Sequence, residues 1–130
     1  MQNAKIRKNT INIGAATYTT VNGLYATDCD SSFEIRNNKV NISNSPNTVY
    51  GMFITNSDGS DLNKNNLTGN DIVASTGNTG AIYGLWLNAS PYINVCNNTI
   101  AINTSAANAY GMYNNNSSLG NYLFRLQYCW

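Results

Sequence analysis

The residues of this chain that could do chemistry are few. Its acids are Asp28, Asp30, Glu34, Asp58, Asp61 and Asp71, and it contains no histidine. That removes imidazole from any acid–base or metal chemistry. Glycosidic hydrolysis needs carboxylates converging on one bond, and no such set is legible, so no residue is assigned a catalytic role. Asp30 and Asp58 each lie seven residues after a glycine, Gly23 and Gly51. They are the candidate ligands of a calcium ion, with Asp28 and Asp61 nearby to add oxygens. The bland reading of Asp58-Gly59-Ser60-Asp61 is an ordinary turn. Three cysteines, Cys29, Cys96 and Cys129, have neither zinc nor redox spacing, and their odd number excludes complete intramolecular pairing.

A second set of residues could bind rather than react. Tyr25, Phe53, Trp86 and Tyr113 each stand two residues after a glycine, within four near-copies of one stretch. These are Val21-Asn22-Gly23-Leu24-Tyr25-Ala26, Val49-Tyr50-Gly51-Met52-Phe53-Ile54, Ile82-Tyr83-Gly84-Leu85-Trp86-Leu87 and Ala109-Tyr110-Gly111-Met112-Tyr113-Asn114. The shared text is an aliphatic residue or Ala, usually Tyr, then Gly, then Leu or Met, then an aromatic.

What positions those rings is a repeat. A second unit recurs with the first, in Ile6 to Ile13, Ile35 to Ile42, Leu67 to Ala74 and Val95 to Ile102. Each has an aliphatic three residues before an asparagine and apolar residues two and four after it. The asparagines are Asn9, Asn38, Asn70 and Asn98, at steps of 29, 32 and 28, and the glycines step by 28, 33 and 27. Two markers with one period mean one structural unit used about four times. Apolar spacing of two within each piece is strand spacing, and no stretch sustains a helical period. Short strands bounded by Asn, Gly, Ser and Asp, three per period, predict an all-β coil. Its turns would stack in parallel about 4.8 Å apart. The asparagine column then forms a ladder of amides, each donating to one neighbour and accepting from the other. The residues before it, Lys8, Asn37, Gly69 and Asn97, mark a tight corner, since Gly and Asn tolerate left-handed backbone.

Composition narrows the function classes. Charged residues make up only 10% of the 130 and the net charge is +1, against about 25% charged in ordinary domains. Without a basic run, nucleic acid is not an expected partner. No apolar run approaches a membrane span, and residues 1–30 carry no apolar stretch of signal-peptide length. An asparagine-rich chain can be disordered, but then its apolar residues would not fall in register.

The glycine strand followed by aliphatic-x-Asn-Asn-x-Ile-x-Ile resembles the parallel β-helix repeat of pectate-lyase-like proteins. The likeness runs over residues 4 to 118, and is closest to non-catalytic surface or adhesin-type members. It implies a right-handed parallel β-helix of about four turns, cut from a longer solenoid, at the cell surface or outside the cell. It implies that the Leu/Met face of the glycine strand points inward. The aromatics Tyr25, Phe53, Trp86 and Tyr113 are then an outward column beside a glycine trough. In carbohydrate-active members this sheet lines the substrate groove, so the expected partner is a polysaccharide or cell-surface glycan. The alternative is that the rings only stack on one another, or lie under a loop or a neighbouring chain. Other readings are part of a polysaccharide lyase or glycoside hydrolase, and a structural repeat that self-associates through its open ends.

The chain reads as one segment, with repeats at about 4–30, 31–60, 61–92 and 93–118 and a terminal strand or cap at 119–130. Tyr122, Phe124, Leu126, Tyr128 and Trp130 alternate onto one face there. Cys29 and Cys96 fall in the first and fourth turns, about 14 Å apart along the axis, too far for a disulfide.

Overall fold

The computed structural model describes residues 3–14, 18–30, 32–60, 62–115 and 123–125. All regular structure in them is β-strand. The first turn is β1 (Lys5–Arg7), β2 (Thr10–Ile13) and β3 (Thr20–Thr27). The second is β4 (Glu34–Arg36), β5 (Lys39–Ile42) and β6 (Thr48–Thr55). The third is β7 (Asn65–Thr68), β8 (Asp71–Ala74) and β9 (Ile82–Asn88). The fourth is β10 (Ile93–Cys96), β11 (Thr99–Ile102) and β12 (Ala109–Asn115), and β13 (Leu123–Arg125) follows. Corresponding strands pair in parallel into three sheets. Sheet A is β1-β4-β7-β10-β13, sheet B is β2-β5-β8-β11 and sheet C is β3-β6-β9-β12. The chain is a parallel β-solenoid of about four turns. Among the described residues no helix is long and apolar enough to cross a membrane.

Each residue pairs with its counterpart one repeat away, such as Ile35 with Leu67 and Met52 with Leu85. Like therefore stacks on like. The interior is a set of aliphatic columns: Leu24, Met52, Leu85 and Met112 from sheet C, Ile6, Ile35, Leu67 and Val95 from sheet A, Ile11, Val40, Ile72 and Ile100 from sheet B. The Leu/Met column points inward, as expected. In the two middle turns these side chains are essentially sealed from solvent.

The corner between sheets A and B carries the asparagine ladder. Asn38 Nδ2 and its backbone N–H both donate to Asn70 Oδ1 at 3.0 Å, and Asn70 donates the same pair to Asn98 Oδ1 at 2.9 Å. The second amide proton reaches inward-strand carbonyls, Asn38 to Ile6 O and Asn70 to Ile35 O. A buried amide with every hydrogen-bonding group engaged is the condition for burying it at all. Lys8, Asn37, Gly69 and Asn97 hold φ between 55° and 66°, the left-handed bend the sequence marks there. A second ladder, at the start of the corner from C to A, is not evident from the repeat. Cys29 and Ser57 donate their backbone N–H to Ser57 Oγ and Ser90 Oγ, at 3.2 and 3.1 Å.

Past this second ladder the turns differ in length. β7 begins eight residues after Ser57, whereas β10 begins three residues after Ser90.

The ladder predicts a graded response. Asn70→Ala strips Asn38 of an acceptor for two N–H groups and removes the side-chain bond to Ile35 O, whose pairing within sheet A remains. We expect a loss of about 3 kcal/mol in urea unfolding. Asn9 donates but accepts from no ladder residue among those described, so Asn9→Ala should cost under about 1 kcal/mol. Equal losses would mean that the ladder does not carry this stability.

Candidate functional site

The outer face of sheet C is the candidate site, and a break in strand alternation builds it. In β6, Val49 points inward and Tyr50 outward, Gly51 and Met52 are then both buried, and Phe53 is outward again. Strict alternation would put the glycine beside the aromatic on the outside, as the sequence reading has it. The structure corrects this. A Cβ on Gly51 would lie 2.6 Å from Gly84 O and 2.7 Å from Ile72 Cγ2, and one on Gly84 2.5 Å from both Gly111 O and Ile100 Cγ2. The glycine column is thus packed against sheet B and the next turn, and there is no outward trough. Glycine is required because the nearest obstacle is backbone, which cannot move aside.

The extra inward step has an outward result. Residues on both sides of the Gly-Leu/Met pair now project from the same face, three positions apart. Tyr25, Phe53, Trp86 and Tyr113 form one column, and Tyr50, Tyr83 and Tyr110 a second one beside it. The sequence reading assigns the first column and overlooks the second, although tyrosine before the glycine is part of the shared text. Asn22 takes that place in the first turn.

The seven rings form one cluster. Tyr50 stacks on Tyr83 at 5.1 Å and 16°, and Tyr83 on Tyr110 at 5.0 Å and 7°. Along the other column Tyr25, Phe53, Trp86 and Tyr113 are tilted at 5.3, 5.9 and 4.5 Å. Trp86 meets Tyr50 and Tyr83 edge to face across the columns. Its Nε1 is buried without a hydrogen-bond partner among the described residues. The cluster is not closed over: Tyr25 is 51% exposed, Tyr110 40% and Tyr113 37%, while Tyr50, Phe53, Tyr83 and Trp86 are half-buried. Ring stacking and access to solvent therefore hold together. Burial, with the neighbouring Tyr83 phenol, pushes the Tyr50 phenol above its usual range, so it stays neutral through and beyond physiological pH.

One edge of the platform is lined by amides and hydroxyls. Asn115 Nδ2 donates to Asn88 Oδ1 at 2.9 Å, and Asn88 Nδ2 to Thr55 Oγ1 at 3.1 Å. No ring position on this face carries a charge.

The other candidates come out as follows. Asp30 and Asp58 do meet across adjacent turns, where the Asp58 backbone N–H donates to Asp30 Oδ1 at 3.1 Å. Among the described residues no three His, Cys, Asp or Glu side chains gather as a metal ion would need. Asp61 lies outside the described residues. Glu34 pairs with Arg7, and Asp71 with Lys39 at 3.9 Å, so these acids face basic residues instead of converging with Asp30 and Asp58. Cys29 and Cys96 are free, and Cys129 lies outside the described residues, as does most of the alternating 122–130 stretch. Its described part, β13, continues sheet A in parallel with β10.

Comparison with protein-family profiles, with curated proteins and with solved structures finds no match to this chain.

Proposed function

We propose that the outer face of sheet C binds uncharged carbohydrate, and that the chain is a non-catalytic solenoid segment carrying that surface. The observation that carries this reading is the seven-ring platform with three exposed tyrosines. Sugar rings present C–H faces that pack on aromatic rings, while their hydroxyls need donors and acceptors at the edge. The half-buried Asn88 and exposed Asn115 amides supply both, anchored on the buried Thr55 hydroxyl. Ring-to-ring contact is worth about 0.5–1.5 kcal/mol beyond area burial, and a polymer lying along the axis would repeat it at each turn. A charged sugar gains nothing from a face with no charge at the ring positions.

The Gly-Leu/Met-aromatic strand together with the asparagine corner supports kinship with pectate-lyase-like β-helices of the adhesin kind. Low charge and an amide- and hydroxyl-rich surface support a place outside the cell or on its surface, where polymeric glycans are met. A lyase or hydrolase activity has no residue set to carry it among the described acids, and the proposal does not include one.

The test is a titration with soluble uncharged β-linked glycans, followed by tryptophan emission and calorimetry. Wild type should bind and shift the emission. Tyr113→Ala, a change at an exposed ring, should weaken binding about fivefold or more with little loss of stability, and Trp86→Ala should weaken it further. Absence of binding to a broad glycan panel, or binding untouched by both substitutions, would leave the platform as scaffold and the chain as a shaft.

The platform should also depend on the glycine step. Gly51→Ala should cost several kcal/mol in thermal or urea unfolding, because the added methyl meets backbone. Met52→Leu, the residue type already at Leu24 and Leu85, should cost less than about 1.5 kcal/mol. Similar costs for the two would show that the inward turn at Gly51 is not what fixes the strand.

A further inference from the structure

The corner between sheets A and B, the one that does not border sheet C, is unusually cationic in a chain with so little charge. Five of the seven basic residues, Lys5, Arg7, Lys8, Arg36 and Lys39, lie in β1, β4, β5 and the bends joining them. Lys39 is matched by Asp71 at 3.9 Å. Of the other four, Arg7 pairs with Glu34 and Arg36 lies 4.0 Å from the same carboxylate, while among the described residues no ion pair holds Lys5 or Lys8. Arg7, Lys8, Arg36 and Asn37 line an open cleft of about 300 Å³.

Two features show that the fold does not call for these charges. Arg7 and Arg36 are direct register partners, and like charges opposite one another in a sheet are destabilising. The same column continues as Thr68 and Cys96 before Arg125, so two turns pair there without an arginine. Lys8 holds a left-handed conformation, φ 58°, at a position where the later turns place Asn37, Gly69 and Asn97. Asn and Gly suit that backbone better than lysine does. A long cation is kept in each place against local preference.

We propose that this corner binds the oxyanion groups of an acidic glycan, carboxylates or sulfate esters, at a site separate from the aromatic face. Guanidinium forks match planar carboxylate and sulfate edges in two-point hydrogen bonds, and Lys8 adds a point charge at the mouth of the cleft. The neighbouring residues Thr10 and Asn12 are exposed and polar. Among the described residues the corner has no apolar anchor for a membrane surface and no ring on which a nucleobase could stack, which leaves a hydrophilic polyanion. With an uncharged glycan on sheet C, the solenoid would join two different polymers.

Binding is measured by affinity electrophoresis and calorimetry with dextran sulfate, alginate and uncharged dextran at low and high salt. Wild type should be retained by both polyanions at low salt, released at high salt, and ignore dextran at this corner. The triple variant Arg7→Thr, Lys8→Asn, Arg36→Thr uses residue types that later turns already carry in those columns. It should keep the wild-type circular dichroism and lose at least about tenfold in affinity. Arg36→Thr alone should lose part of it, Arg36→Lys should lose less, and Trp86→Ala should not alter it. Equal retention of wild type and the triple variant overturns the site, as does failure of wild type to bind either polyanion. Stronger binding to phosphatidylserine vesicles than to either polyanion overturns the assignment to a glycan.

Discussion

Everything in this molecule follows from one constraint: each turn must lie directly over the last. A single turn of three short strands has an inner face of one to three aliphatic positions per strand and cannot enclose it alone. Stacking encloses it, and parallel pairing forces every residue to sit about 4.8 Å from its own counterpart. Side chains that gain from meeting their own kind are therefore favoured at each column. Aliphatics stack in the interior, amides form a ladder at the A–B corner, and rings stack on sheet C. Charges lose by the same rule, since stacked like charges repel, which fits a chain with 10% charged residues.

The aromatic platform is a product of that registry combined with one local irregularity. Where Gly51 and Gly84 turn inward beside Met52 and Leu85, two outward positions are brought three residues apart, and both can carry rings. The cost of the irregularity is a place where no side chain fits, because the carbonyl of the next glycine occupies it. Each glycine thus makes room for the one in the neighbouring turn. The steric demand of the interior and the width of the outer surface are set by the same residue.

Much of this was legible in the sequence, for a physical reason. A solenoid writes its contacts as a period, so Asn9, Asn38, Asn70 and Asn98 announced a ladder before any contact was known, and Lys8, Asn37, Gly69 and Asn97 announced its bend. The position of the glycine side was not legible. Strand alternation is a rule of period two, and nothing in Tyr50-Gly51-Met52-Phe53 says that two successive residues will share one side. The consequence reaches the site: period two places Tyr25, Phe53, Trp86 and Tyr113 as one column beside a trough, and only the inward glycine sets Tyr50, Tyr83 and Tyr110 next to them. The serine ladder is hidden in the sequence because Cys29 stands at its first position and masks the pattern of Ser57 and Ser90. The cationic corner is not legible in the sequence, because Lys5, Arg7 and Lys8 lie about 30 residues from Arg36 and Lys39 and converge only when turns stack.

The corner leading from sheet C to sheet A is governed differently from the other parts of the coil. Ser57 and Ser90 lock its first residues by hydrogen bonds between turns, and after them the length of the path varies freely. The second turn spends several more residues there than the third does, yet β7 and β10 pair without a slip. Registry is restored by the sheet on the far side, whatever lies between. This makes the segment around Asp58 to Asn63 the point at which the solenoid can change its outline without changing its pitch. New sequence placed there would project beside the aromatic face, and the same coil could thereby be given walls of different height along the same platform.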